Sequence, residues 1–193
     1  MKDITSNEMQ FVLHVLKSPH KAYNARNMAQ ELGMSAMGSL KIAKRLEQEG
    51  ILLSQQIGHA KIYRINLKNE YTREYVRFLV KREAEYAPIH VKAWLRELQR
   101  VQHAELAIVF GSILKKKEAH DVDVLLVSSQ KSFAALRKEV EKINQITVQK
   151  VHPMYQSSQD IRENIRKGDP ALLSALKGIV AFGGEALIHV LEV

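Results

Sequence analysis

The sequence contains no cysteine and only four prolines, and aromatic residues make up 6% of its 193 positions. The lack of cysteine excludes disulfide bonds and the zinc or redox sites that are built from thiolates. No apolar run approaches the roughly 20 residues of a membrane-spanning helix, and no signal peptide is recognisable. We therefore expect a cytoplasmic protein with no membrane partner, and the 46% hydrophobic content suffices for the cores of two small domains.

Basic residues clearly outnumber acidic ones only in the first half of the chain. Residues 1–103 hold 17 Lys and Arg against 10 Asp and Glu, whereas residues 104–193 hold 12 against 11. A concentrated positive surface favours the neutralisation of phosphates and the electrostatic steering of nucleic acid. We therefore expect a nucleic-acid partner for the first half.

The first third of the chain has the pattern of three helices followed by a hairpin. Asn24 is a plausible N-cap, Gly33 ends the second helix, and Ser35 opens the third. On that third helix, Ser39, Ile42, Ala43 and Leu46 share one face, and Met37, Lys41 and Lys44 lie opposite. The predicted elements are helices Met9–Leu16, Asn24–Leu32 and Ala36–Glu49, strands Ile51–Ile57 and Lys61–Leu67, and a turn at Gly58-His59-Ala60.

This order of elements resembles a winged helix-turn-helix domain over residues 5–68, and the phrases 26–35 and 46–52 are similar to common sequences of that family. The resemblance implies binding to double-stranded DNA, with the third helix in the major groove and the wing against phosphates or the minor groove. The alternative is a domain that mediates protein contacts and carries ordinary solvated lysines. The expected DNA contacts are Met37, Lys41, Lys44, Arg45, His59 and Lys61.

Residues 69–103 are predicted to form a helical connector with apolar stripes, interrupted at Ala87-Pro88 and resuming over Ile89–Leu98. Because such stripes need packing partners and a helix after the wing is a frequent dimer element, we expect a homodimer. The first stripe comprises Tyr71, Tyr75, Phe78 and Leu79.

Two segments of the second half carry the candidate chemistry. The apolar run Leu106–Phe110 ends in Gly111-Ser112, a turn where the backbone can approach a ligand closely. A second apolar strand, Asp121–Val127, then places Asp121 and Asp123 on one face. Two neighbouring carboxylates repel each other unless a divalent cation binds them, and such oxygen ligands suit Mg²⁺ or Mn²⁺ bound together with substrate phosphates.

This combination resembles the minimal form of the polymerase-β-type nucleotidyltransferase superfamily. The resemblance implies that Gly111 and Ser112 hold a nucleoside triphosphate and that Asp121 and Asp123 are the catalytic, metal-binding pair. The family's third carboxylate is expected on the following strand, Ile146–Val151, which offers no acid on either face. Its absence suggests weak activity, nucleotide binding without transfer, or a substitute acid.

Candidate substitutes for the third acid are Glu118 and Asp160. Among the histidines, only His120 is expected near the site; the others, including His152, show no metal-ligand spacing. The lysine triplet 115–117 lies between the two halves of the motif, where it could contact a triphosphate, although such a triplet is more often a solvated loop.

The expected fold class is α+β. It comprises a winged helix-turn-helix domain over residues 1–68, mostly α with a β-wing, a helical connector over 69–103, and an α/β nucleotidyltransferase-like domain with a mixed sheet over 104–193. Helices are predicted at Ser132–Asn144 and Ser158–Lys167.

The sequence is compatible with three functions. The first is a DNA-binding transcriptional regulator whose second domain binds a metal-nucleotide. The second is an active nucleotidyltransferase that modifies a protein, small-molecule or nucleic-acid hydroxyl. The third is an antitoxin-like protein-interaction module.

Overall fold

The chain forms two compact units, Met1–Leu79 and Val80–Val193, and the computed structural model describes residues 4–116 and 119–192. The fold class is α+β, as expected, with one antiparallel hairpin and one mixed sheet. The boundary between the two units falls after Leu79, inside a helix of the region predicted as a helical connector. Within the described part of the chain, no helix combines the length and apolar character needed to cross a bilayer.

The first unit has the element order of a winged helix-turn-helix domain. The predicted N-caps are confirmed, since the side chains of Asn24 and Ser35 accept hydrogen bonds from the first turns of the helices that they precede. Thr5 caps the first helix in the same way and forms a capping box with Glu8. The elements are α1 Ser6–Lys17, α2 Ala25–Glu31, α3 Ala36–Gln48, β1 Leu52–Ile57, β2 Ala60–Ile65 and, crossing the boundary, α4 Glu70–Tyr86.

The core of this unit joins the helices to the hairpin. Phe11 on α1 and Tyr63 on β2 are buried, and their rings meet edge to face with centroids 6.4 Å apart. On α4, Tyr75 and Leu79 are buried as the stripe predicted, but its other two members, Tyr71 and Phe78, are about half exposed (56% and 51%). Only part of the apolar stripe of α4 is thus buried.

The hairpin turn is tighter than the sequence indicated. Ala60 is already paired with Ile57 in the ladder, so that only Gly58 and His59 form the turn. Gly58 has φ of +58°, as the first position of a type II′ turn requires, and this places His59 at the exposed tip of the wing.

The second unit is built around a four-stranded mixed sheet with strand order β5-β4-β3-β6. β3 is antiparallel to β4 and β6, whereas β4 and β5 are parallel. The elements are α5 Ile89–Leu98, β3 Leu106–Phe110, a 3₁₀ turn Gly111–Leu114, β4 Asp121–Val127, α6 Phe133–Ile146, β5 Lys150–Gln156, α7 Ser158–Lys167, α8 Pro170–Ala175, β6 Ile179–Phe182 and α9 Gly184–Leu191.

The predicted start of the third strand is wrong: the prediction begins at Ile146, whereas the strand begins at Lys150. α6 continues through Ile146, and β5 begins only at Lys150. Of the β-branched residues in the predicted segment, Ile146 ends α6 and Val151 lies in β5, whereas Thr147 and Val148 lie between the two elements, where Val148 is 97% exposed. At the start of β5, the Asn144 side chain accepts a hydrogen bond from the Val151 N–H and donates one to the Val151 carbonyl.

Candidate functional site

The candidate DNA-binding face lies on α3. Ser39, Ala43 and Leu46 are buried beneath it, whereas Met37, Lys41 and Lys44 are exposed on the opposite side, as predicted. Gln48 extends the exposed stripe by one further turn and was missed, although its i+4 spacing from Lys44 could have identified it. The stripe therefore offers two ammonium groups and one amide on a single helix face.

Arg45 lies on the side of α3 that meets α1. Its guanidinium contacts the carboxylate of Glu8, whose side chain is 5% exposed, and Arg45 Nε lies 3.2 Å from Glu49 Oε1. This arrangement ties α3 to the capping box of α1. Arg45 is thus partly exposed and paired with acids of its own unit, and it does not belong to the exposed stripe.

The wing residue Lys61 is paired as well. Its ammonium lies 2.7 Å from Glu47 Oε2, and the hydroxyl of Ser54 donates to the other oxygen of the same carboxylate. The bond from Lys61 and the bond from Ser54 lower the pKa of Glu47, and the bond to Glu47 raises the pKa of Lys61. Glu47 therefore connects α3 to the wing and balances the positive charge of Lys61.

The difference in net charge between the two parts of the chain is smaller when the chain is divided after Leu79, where the structure places the boundary. Residues 1–79 hold 12 Lys and Arg against 7 Asp and Glu, and residues 80–193 hold 17 against 14. Five basic residues that the sequence division assigned to the first half belong to the second unit, which makes its net charge more positive.

The second candidate site lies where β3 ends and β4 begins. Phe110 pairs with Asp123 in the antiparallel ladder, so the turn at Gly111 stands beside the Asp123 side chain. Gly111 has φ of +80°, and a Cβ atom added there would overlap Asp123 Oδ2. Asp121 is exposed and Asp123 half-buried on one face of β4, while Val122 is buried on the other.

His152 brings a third ligand-type side chain to this point. The parallel register pairs Asp123 with His152, and His152 Nδ1 lies 3.1 Å from Asp123 Oδ1. One potential ligand atom from each of Asp121, Asp123 and His152 lies within 4.8 Å of the others, and His152 is exposed. The expectation for the histidines thus needs correction: His152 joins this group, whereas His120, exposed just before β4, does not.

The remaining predicted residues surround this group or lie elsewhere. Ser112 is exposed in the 3₁₀ turn, and its carbonyl accepts hydrogen bonds from the N–H groups of Lys115 and Lys116. Asp160 is occupied as the N3 residue of a capping box at the start of α7. Glu118 and Lys117 lie outside the described residues.

The donor set fits a divalent cation. Two carboxylates and an imidazole nitrogen can converge on one ion, and the exposure of Asp121 and His152 leaves room for water or phosphate oxygens as further ligands. The fit to the nucleotidyltransferase pattern is incomplete, because the strand that follows β4 carries no acid, and a histidine is the registered partner of Asp123.

Comparisons with known proteins add little to this geometry. No family model matches the chain, and no curated protein matches it. Among solved structures, the chain is similar to the adhesin competence repressor AdcR from Streptococcus pyogenes at 12% identity and a TM-score of 0.37, covering 73% of this chain and 80% of that one.

Proposed function

We propose that this protein is a cytoplasmic DNA-binding transcriptional regulator whose second unit binds a nucleotide together with a divalent cation. The observation that carries the first part is the exposed stripe of α3. Lys41 and Lys44 lie there on the face opposite the core, and neither ammonium pairs with a carboxylate of the described residues. A helix that presents unpaired positive charge outward, beside a two-stranded wing, is suited to the major groove of duplex DNA.

The second part of the proposal is supported by the turn after β3. A glycine and an exposed serine lie beside two carboxylates and an imidazole, with the exposed Lys115 and Lys116 in the following segment. In a metal-nucleotide complex, the cation would be held by the carboxylates and His152, and the turn and lysines would face the phosphates. The ion would neutralise charge on the phosphates.

A homodimer is the assembly we propose. Tyr71 and Phe78 remain about half exposed on α4, directly after the wing, and a two-fold dimer would let two copies of α3 read two half-sites. Analytical ultracentrifugation of the full chain tests this, since a monomer at micromolar concentration would contradict it.

DNA binding is tested by fluorescence anisotropy of a random-sequence duplex over a series of salt concentrations. Lys41→Ala with Lys44→Ala should weaken binding and reduce the slope of log K against log salt by about 1 for each lysine that contacts a phosphate. The matched control is Lys138→Ala with Lys142→Ala, which removes the same charge from two exposed positions of α6. Equal losses in both double variants would contradict α3 as the DNA-binding helix.

Nucleotide transfer is the second candidate function, and the cluster of Asp121, Asp123 and His152 beside Gly111 favours it. The full chain would be incubated with α-labelled nucleoside triphosphates, Mg²⁺ or Mn²⁺, and candidate protein, small-molecule or nucleic-acid acceptors. Transfer that Asp121→Ala with Asp123→Ala abolishes would support an enzyme. Transfer that survives this change would place the chemistry elsewhere.

A further inference from the structure

We propose that His152 completes the metal site and makes it selective for a first-row transition metal ion, such as Mn²⁺ or Co²⁺, over Mg²⁺. The inference deepens the metal-nucleotide part of the proposed function and rests on it for the existence of the site. It concerns which ion these three side chains hold.

The sheet register brings His152 to the carboxylates. β4 and β5 are parallel neighbours, and His152 is the registered partner of Asp123 although 29 positions separate them in the chain. Because registered residues of adjacent strands project from the same face, the imidazole and the Asp123 carboxylate lie side by side. The side chain of Asp121 projects from that face too, two residues earlier on β4.

The lysine opposite Asp121 in the sheet does not form an ion pair with these carboxylates. Lys150 is the registered partner of Asp121, but its ammonium donates to the carbonyls of Asn144 and Thr147, at 2.5 Å and 2.6 Å. Among the described residues, Asp121 forms no ion pair with a lysine or arginine. Asp123 has His152 as its only basic partner there. The group therefore carries excess negative charge that a bound cation would neutralise.

The ligand chemistry then determines the preferred ion. Mg²⁺ prefers oxygen ligands in near-octahedral geometry, whereas an imidazole nitrogen suits Mn²⁺, Fe²⁺, Co²⁺, Ni²⁺ and Zn²⁺ better. Replacing one oxygen ligand by an imidazole therefore weakens the site for Mg²⁺ relative to these ions. The 74% exposure of the His152 side chain leaves coordination positions for water or phosphate oxygens.

The test is a titration of the metal-free full chain with MnCl₂, CoCl₂ and MgCl₂ separately, followed by calorimetry and, for Co²⁺, by its visible absorption. The wild type should bind Mn²⁺ and Co²⁺ at least about tenfold more tightly than Mg²⁺, and His152→Ala should lose at least about tenfold for both, since even outer-shell partners of metal ligands are worth that much. His152→Asp should move the preference back toward Mg²⁺. His120→Ala, which removes an exposed histidine next to β4, should leave all three affinities unchanged.

Two results would overturn the inference. One is a preference for Mn²⁺ and Co²⁺ that His152→Ala leaves unchanged while circular dichroism shows the variant folded. The other is a Co²⁺ spectrum identical in wild type and His152→Ala, which would mean that His152 only hydrogen-bonds to Asp123.

A separate nucleotide titration distinguishes failure of the inference from failure of the proposed function. Selective Mn²⁺ binding without nucleotide binding would support the inference and contradict the nucleotide proposal. Nucleotide binding with Mg²⁺, together with metal affinities that His152→Ala leaves unchanged, would support the nucleotide proposal and contradict the inference.

Discussion

The carboxylate of Asp123 occupies the space in which a side chain at position 111 would stand. Phe110 and Asp123 are paired in the β3–β4 ladder, and the chain turns at Gly111 immediately beyond that pair. Glycine is therefore required twice at this position, once for its φ of +80° and once for the close approach of the carboxylate. The backbone turn at Gly111 and the position of the Asp123 carboxylate therefore depend on each other.

Gly111→Ala should damage both stability and metal binding. The positive φ alone costs about 1–2 kcal/mol for an alanine, and the overlap with Asp123 adds to it and displaces the carboxylate. Gly168→Ala is the matched control, because Gly168 has φ of +70° in the same unit but nothing within 4 Å of an added Cβ. Urea unfolding followed by the fluorescence of Trp94, the single tryptophan, measures the stability of this unit. Equal effects of the two variants on unfolding and on Mn²⁺ affinity would contradict the close approach.

Glu47→Gln should strengthen DNA binding. Glu47 pairs with Lys61 across α3 and the wing, so the change removes a negative charge and leaves the lysine free for a phosphate. The salt slope of duplex binding should become steeper by about 1, as measured by anisotropy. Glu141→Gln on α6 makes the same charge change at an exposed position of the other unit and should have little effect. Weaker binding by Glu47→Gln would show that Lys61 acts through its ion pair.

Arg45→Ala should lower stability more than it changes the salt slope of DNA binding. It leaves the carboxylate of Glu8, which is 5% exposed, without its guanidinium partner. We expect a loss of about 2 kcal/mol, below the range for fully buried pairs because Arg45 is partly exposed. Circular dichroism during thermal unfolding measures the loss, and Glu8→Gln in the Arg45→Ala background should recover part of it. A reduced salt slope with unchanged stability would instead return Arg45 to the DNA-binding surface.

Ser157→Ala should destabilise the second unit by about 1 kcal/mol, the usual cost of losing an N-cap. Ser157 Oγ accepts from the Asp160 N–H at 3.1 Å and donates to the Asp160 carboxylate at 2.7 Å. The bond from Ser157 lowers the pKa of Asp160 below its ordinary 3.8. The stabilisation that this bond gives to the folded state is therefore fully present above pH 3.8 and is lost as the pH falls through the lowered pKa. The difference between wild type and variant in Trp94-monitored urea unfolding should therefore shrink in acid. Ser158→Ala, one residue later, is the control and should cost less.

Local signals in the sequence were sufficient for most of the elements. Asn24 and Ser35 cap their helices because their short side chains reach the N–H groups of the next turn, and that chemistry is readable within four residues. β4 was also predicted with its observed bounds, since its alternation of acids with buried valines is a local pattern.

The third member of the candidate metal site, His152, could not be found in this way. His152 lies beside Asp123 because β5 begins at Lys150 and pairs in parallel register with β4, whereas Val148, which the sequence placed in the strand, is exposed before it. A strand placed a few residues too early assigns the wrong side chains to the sheet. Register between strands is a tertiary property, so the sequence pattern indicated two of the candidate ligands and missed the third, which we propose selects the ion.

The boundary inside α4 decides where the chain can be cut. The Thr72 hydroxyl donates to the Gly50 carbonyl, and Val76 and Leu79 are fully buried, so the helix beyond the wing completes the first unit. A fragment that stops at residue 68 would expose this apolar surface to water and should aggregate or unfold. Fragments for separate study should keep α4 through at least Leu79.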